Sequence, residues 1–305
     1  MDELVARLRA AGCVFAEDEA RILTEAADGD AARLEELAAA RVGGLPLEHL
    51  VGWAELDGRR WLVAPGVFVP RQRSELLVRE AAARAAAGAG AAAARGADGA
   101  PGTSPVLLVD LCCGCGALGG AVAARLLAAG HDVELHAADV DPAAVTCAHD
   151  NLKALTDDNP DTRARRSVLA PVRHSAGAPG LGRLTAHTYT GDLAEPLPAD
   201  VWGRVDVLVA NAPYVPTAAI SMMPPEAREH EPHAALDGGG DGLAILRRVI
   251  DLAPTLLRPG GHLLVETGEA QVSAAVGHLE AAGLIATVLT DDDLGATALV
   301  GTLPE

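Results

Sequence analysis

An open α/β sheet behind a small helical unit is the fold this sequence predicts, and three observations predict it. The run VLLVDL at 106–111 is almost continuously apolar, as expected of a parallel strand covered on both faces. From there on, strand-like and helix-like segments alternate, which is the pattern of a doubly wound sheet. Residues 1–41 instead show helices, with Leu4, Leu8 and Val14, then Ala20, Leu23, Leu34 and Leu37, at roughly helical spacing amid charges.

In order along the chain, Asp30 or Gly29 starts a helix that Gly43-Gly44 stops. Gly52, Gly58 and Pro65 break the periodicity at 51–70, and WLVAPGVFV reads as part of a short hairpin. Ser74 precedes the helix ELLVREAAARAAA, which fades into Gly/Ala-rich sequence at 88–105, expected to be a mobile linker or insertion. Residues 1–75 are therefore expected to form an N-terminal domain and 76–305 the sheet domain. After the strand at 106–111 come a helix at 117–129, a strand at 133–139, and a helix at 142–155 with Asp141 as cap and Pro142 at its first position. A charged, aperiodic stretch at 156–184 reads as a surface excursion. Strands at 185–192, 205–211 and 262–268, helices at 241–257 and 271–282, and a closing strand pair at 284–290 and 296–303 complete the chain.

Composition narrows the function. The chain has 305 residues, half of them hydrophobic, so it can bury a core without disulfide or metal staples. Aromatics make up only 2%, which leaves the core to Ala, Val and Leu. A formal charge of −18 argues against a stand-alone binder of duplex DNA, which needs a positive surface. No secretion signal opens the chain, no apolar stretch is long enough to span a bilayer, and the five cysteines are an odd number; the expectation is a cytosolic protein with reduced thiols.

Three motifs carry the chemistry. DLCCGCGALGG at 110–120 follows a buried strand and opens a helix; Gly114 and Gly116 let the backbone turn tightly and approach a ligand. Its plain alternative is a tight strand-to-helix turn. Asp139 ends the second strand, 23 residues after Gly116, where an acid accepts hydrogen bonds from ribose hydroxyls; the alternative is a helix cap, a role that fits Asp141 better. Asn211-Ala212-Pro213-Tyr214 lies at the C-terminal edge of the fourth strand, on the side where such sheets bind ligands; the alternative is an Asn-Pro turn.

Taken together, the chain resembles the HemK-type protein-glutamine N-methyltransferases, which use S-adenosylmethionine to modify the glutamine of a Gly-Gly-Gln loop in peptide-chain release factors. The resemblance runs through LAAARVGGLPLEHLVGWAEL, FVPRQRSELLV, DLCCGCGA, NAPYVP, EPHAALDGGGDGLAILRRVI and GGHLLVETG, nearly the whole chain. It implies a Rossmann-like class I methyltransferase with a seven-stranded sheet and a helical substrate-recognition domain, and the closing strand pair resembles the ending of that fold. It places the cofactor at Asp110, Cys112, Cys113, Gly114, Cys115, Gly116 and Asp139, with Leu193 beside the adenine, Asp192 in reach of its amino group, and Asn211 at the border with the acceptor. It makes Asn211 through Tyr214 the catalytic signature.

The signature suits the chemistry. An amide nitrogen is a poor nucleophile because its lone pair is delocalised into the carbonyl. Two acceptors gripping its two N–H bonds, the Asn211 side-chain oxygen and the carbonyl of residue 212, turn the lone pair toward the methyl group, and Tyr214 stacks on the amide plane. No strong general base is required.

Departures from the family pattern bear on the acceptor. Asn-Pro-Pro-Tyr reads Asn-Ala-Pro-Tyr; Pro-Arg-Pro-Glu/Asp-Thr-Glu reads Pro70-Arg71-Gln72-Arg73-Ser74-Glu75, an acid exchanged for a base; and Cys112 replaces the first loop glycine. A small-molecule amide or amine is the alternative acceptor. Adenine in nucleic acid, or an inactive cofactor-binding scaffold, stands further off. Cys112-x-x-Cys115 lacks a second pair to complete a zinc site. His230 and His233, with Glu229 and Glu231, read as a surface loop, and Asp291-Asp292-Asp293 as a solvated turn. Arg71 and Arg73 are open to lining the cofactor mouth, meeting an acidic partner, or lying on the surface.

Overall fold

The computed structural model describes residues 1–95, 104–156 and 182–305. Helices α1 (Asp2–Ala10), α2 (Ala16–Ala27) and α3 (Ala31–Val42) pack around Leu8, Ala20, Leu23 and Leu37. Asp30 caps α3, its Oδ1 accepting the Ala32 and Arg33 amides at 2.9 and 3.1 Å. A short helix the sequence reading lacked, α4 (Leu47–Val51), leads into an antiparallel hairpin of β1 (Trp53–Leu56) and β2 (Arg59–Leu62). Leu56, Trp61 and Val63 join the core of the sheet, not that of the helices. Asn151 fastens the hairpin from below: its Oδ1 accepts the Leu62 amide at 2.8 Å, while Nδ2 donates to the Leu62 and Cys115 carbonyls.

A 3-10 turn at Gln72–Ser74 opens α5 (Glu75–Arg95). This helix continues past residue 88, where a fade was expected. Alanine is the best helix former, and its density outweighs Gly88 and Gly90. The rest of the expected linker, 96–103, and most of the 156–184 excursion, 157–181, lie outside the described residues.

The sheet then builds up as β3 (Val106–Leu111), α6 (Ala117–Ala128), β4 (Val133–Asp139), α7 (Pro142–Thr156), β5 (Leu184–Thr190) and β6 (Val205–Ala210). Two short helices, α8 (Pro225–His230) and α9 (His233–Leu236), stand where a surface loop was expected. Pro225 sits in the first turn of α8 and Pro232 immediately precedes α9, positions where a fixed φ favours helix entry. They are followed by α10 (Ala244–Leu256), β7 (Leu257–Glu266), α11 (Val272–Ala281), β8 (Ile285–Asp291) and β9 (Ala296–Thr302). The strand order is β5-β4-β3-β6-β7-β9-β8. All neighbours are parallel except β9, which runs antiparallel between β7 and β8. The chain moves outward from β3 and then returns to its other side as β6. The crevice at that reversal, beyond Leu111 and Ala210, is where such sheets hold a ligand.

Candidate active site

A cavity of about 540 Å³ fills that crevice. Cys112 to Cys115, Asp139, Asp141, Asp192 and Leu193 line one side; Ser74, Asn211 and Pro213 line the other, with Val67 and Phe68 from the segment after the hairpin forming a further wall. The structure thus brings together most of the residues the sequence singled out. Asp110, Gly116, Ala212 and Tyr214 are not among the lining residues.

Backbone groups build the first side. Cys113 donates its amide to the Ala138 carbonyl at 3.1 Å, and Gly116 donates to Cys113 at 2.8 Å, closing the turn. Gly116 has φ of 75°, and a Cβ there would come within 2.9 Å of the Ala148 Cβ, so α6 and α7 pack as closely as a glycine permits. Cys112 and Leu193 also have positive φ, 56° and 49°, a conformation strained for residues with a Cβ. Both line the cavity. At Cys112 the strain accounts for the glycine that the resemblance leads one to expect.

Asp139 accepts the Gly114 amide at 2.8 Å through Oδ2 and the Asp141 amide at 2.9 Å through Oδ1. Burial nevertheless pushes its carboxyl above the usual range. Asp141 caps α7 through the Ala143 amide at 2.8 Å, as expected. Asp110, behind the loop, accepts the Gly119 amide at 2.8 Å with Oδ2, while its buried Oδ1 has no partner among the described residues. Burial raises this carboxyl from 3.8 to about 7, and the nearby Asp139 charge adds to the effect. Burial and the same carboxylates hold the Cys112 and Cys113 thiols well above the ordinary cysteine range, so they remain protonated and make poor metal ligands. Asp192 pairs with Arg248 at 2.7 Å.

Side chains from three distant segments build the second side. Glu266, at the end of β7 and only 3% exposed, is their hub. Its Oε1 accepts from Arg73 Nε at 2.7 Å and from the Tyr214 hydroxyl at 2.8 Å; its Oε2 accepts from Ser74 Oγ at 2.7 Å. Arg73 also donates to the Tyr214 hydroxyl, and Asn211 Nδ2 donates to Ser74 Oγ at 3.2 Å. Burial, with the Glu266 charge, raises the Tyr214 phenol further above its range. Arg71 pairs with the buried Glu231 that follows α8. Both arginines whose use the sequence left open are thus tied inside the molecule. The resemblance had drawn attention to Tyr214 and to the Arg73 exchange, but Ser74 and Glu266 were missed. The available signal was a carboxylate ending the apolar strand HLLVE on the ligand-binding edge.

Glu134, His136 and His187 form a group that could offer three ligand atoms to a metal. The two imidazoles stack at 4.9 Å with planes 25° apart, so their in-plane lone pairs do not converge. His136 is already bonded at both nitrogens, to the Tyr189 hydroxyl at 2.9 Å and to Glu134 at 3.1 Å.

The charge of the cavity decides what it can hold. Asp139, Asp141 and Asp192 face a single lining cation, Arg248, which is paired with Asp192. A pyrophosphate would be repelled here, whereas a ligand carrying sulfonium and ammonium groups is attracted. With the antiparallel β9 closing the sheet, the molecule is a class I S-adenosylmethionine-dependent methyltransferase. No family model matches the chain. The sequence is 33% identical over 275 residues to the release factor glutamine methyltransferase of Geobacter sulfurreducens, covering 88% of this chain and 78% of that protein. It is 29% identical over 263 residues to the enzyme of that name from Mycobacterium tuberculosis, covering 86% and 71%. It is 31% identical over 238 residues to the 4-amino-L-phenylalanine/4-methylamino-L-phenylalanine methyltransferase of Streptomyces pristinaespiralis, covering 78% and 66%. The chain belongs to the release factor glutamine methyltransferase family. Among its described residues, no helix is long and apolar enough to cross a membrane.

Proposed function

We propose that the chain methylates the side-chain amide nitrogen of a glutamine in a peptide-chain release factor. One observation carries this reading: a single cavity joins the glycine loop and Asp139 to Asn211 and Pro213. S-adenosylmethionine, when bound, supplies an electrophilic methyl group. The loop from Cys112 to Gly116 and Asp139 would hold it, with Leu193 and Asp192 at the adenine end and Asp110 supporting the start of α6 behind the loop through the Gly119 amide. Asn211 accepts one N–H of the acceptor through Oδ1, and the Ala212 carbonyl accepts the other. Pro213 lines the cavity and offers its flat apolar face to the amide plane, while Tyr214, held by Glu266 and Arg73, fixes the strand end that carries the grip. The helical unit at residues 1–75 carries part of the binding of a protein acceptor; Arg41 of α3 reaches Glu226 of α8 at 2.9 Å, linking that unit to the segment after the signature.

The test is incubation with labelled S-adenosylmethionine and a release factor, followed by mass spectrometry. Label on the glutamine amide of the Gly-Gly-Gln loop is expected, and label absent from it overturns the reading. The second reading, a small-molecule aryl or alkyl amine, is favoured by the Streptomyces relative and by Arg73 standing where the family carries an acid. Turnover of 4-aminophenylalanine without turnover of the release factor would establish it.

A further inference from the structure

Asn and Gln side chains present an oxygen and an NH₂ group of nearly equal size, so only the neighbours decide which end faces a ligand. At Asn211 the deciding chain can be followed atom by atom. Glu266 is ion-paired with Arg73 and therefore only accepts hydrogen bonds. Ser74 Oγ, 2.7 Å from Glu266 Oε2, must point its one proton there. Its lone pairs are then all that it can offer to Asn211, so Asn211 has to turn Nδ2 toward it, at 3.2 Å. Oδ1 is left to face the other way. Ser74 is 3% exposed and lines the same cavity as Asn211, so its hydroxyl is held by the Glu266 and Asn211 bonds at the cavity wall.

We infer that Ser74 is a positioning residue: with Glu266 it forms a polarity relay that locks the Asn211 oxygen toward the methyl acceptor and thereby selects an acceptor that donates N–H. This deepens the proposed function and rests on its reading of Asn211 as part of the grip. The relay also carries a specificity. An outward-facing oxygen accepts from the NH₂ of glutamine and repels the carboxylate of glutamate. Without the Ser74 hydroxyl, Asn211 can present NH₂ instead, donor against donor, and the acceptor loses its alignment.

The experiment compares Ser74→Ala, Ser74→Thr, Asn211→Ala and the Ser74→Ala/Asn211→Ala double variant, with a Gly-Gly-Gln peptide as acceptor. Ser74→Ala should lower kcat by roughly 10- to 100-fold, the scale of a misaligned reacting group, with the Kd for S-adenosylmethionine by calorimetry unchanged. Ser74→Thr keeps the hydroxyl and should restore kcat. Because Ser74 acts through Asn211, adding Ser74→Ala to Asn211→Ala should cost almost nothing more, the non-additivity expected of coupled residues. Parental kcat in Ser74→Ala, failure of Thr to rescue, or full additivity in the double variant would each overturn the relay. A readout that needs no acceptor is the Asn211 side-chain NH₂ resonance. One proton should be shifted and slow to exchange in the parent, and should lose both properties in Ser74→Ala. An unchanged resonance overturns the relay. A parent that leaves the peptide unmethylated but shows the resonance change overturns the proposed acceptor alone.

Discussion

The two sides of the cavity are built from different materials. On the cofactor side, the turn is made by main-chain amides, two glycines and the carboxylate of Asp139, and these elements follow one another within a single strand–helix–strand unit, from Asp110 to Asp139, with Asp141, Asp192 and Leu193 added beyond it. On the acceptor side almost every contact is between side chains, and they arrive from residues 73–74, 211–214 and 266. Backbone geometry tolerates substitution at a bounded cost. Cysteines stand at positions 112, 113 and 115 without undoing the turn, and of these Cys112 alone takes a left-handed φ. A side-chain network has no such tolerance, because each proton position depends on the next group along.

Four changes would break or sharpen this contrast. The largest effect is expected on the acceptor side. Asn211→Ala removes one of two acceptors and should lower kcat by roughly 10²–10³, about 3–4 kcal/mol in the transition state, with cofactor affinity retained. Near-parental turnover would remove Asn211 from the mechanism. Next, on the cofactor side, Asp139→Ala should weaken S-adenosylmethionine by about 10- to 100-fold, the loss of a charged hydrogen bond worth roughly 1.5–3 kcal/mol. Calorimetry checks it, and unchanged affinity in a folded variant would take Asp139 out of the site.

The third change is read in melting temperature. Because the folded-state carboxyl of Asp110 is raised from 3.8 to about 7, the native protein binds a proton there that the unfolded chain releases between those values. That contribution is fully present below about pH 4 and is lost as the pH rises through about 7. Asp110→Asn, which cannot ionise, should therefore gain stability relative to the parent as pH is raised from 4 to 8 in the absence of cofactor. A constant difference across that range would show that burial does not hold the proton. The smallest effect is expected at Cys112. A glycine relieves a left-handed residue of roughly 1–2 kcal/mol but loses about 0.5–1 in chain entropy, so Cys112→Gly should be more stable by about 0.5–1 kcal/mol, with cofactor affinity intact. Denaturant titration decides it, and a loss of stability would mean that the thiol's packing outweighs the strain.

The same contrast explains what could be read from the sequence. Spacing alone located the glycine turn, Asp139 at its strand end and the succession of strands and helices along the chain, because short-range periodicity specifies each of them; the order of the strands in the sheet is set by long-range pairing and was not readable. Asp30 and Asp141 were readable as caps because a cap is defined by the residues just after it. Glu266 and Ser74 were not readable. Nothing local distinguishes a serine at a helix entry from one that reaches across the fold to Asn211, and a glutamate at a strand end has no period to betray it. The α8–α9 segment reads as a loop in sequence because its helices are too short to show an apolar stripe, and prolines at helix entry look the same as prolines in turns. Tyr214 is expected to stack on the acceptor amide; what the sequence does not show is that its hydroxyl is held by Glu266 and Arg73, a partnership that depends on a residue 141 positions away.

The hairpin has an optical consequence. The protein has three tryptophans, and two of them, Trp53 and Trp61, lie on its two strands. Arg60 sits over the Trp53 ring at 3.8 Å, and Trp61 lies against α6, where a Cβ on Gly120 would come within 2.5 Å of its ring. None of the three lines the cavity. Intrinsic emission therefore reports chiefly whether the hairpin is seated on the sheet and is nearly blind to the cofactor itself. A red shift that precedes loss of far-ultraviolet dichroism during unfolding would be the sign of the hairpin lifting first, opening the wall formed by Val67 and Phe68 while the sheet still stands.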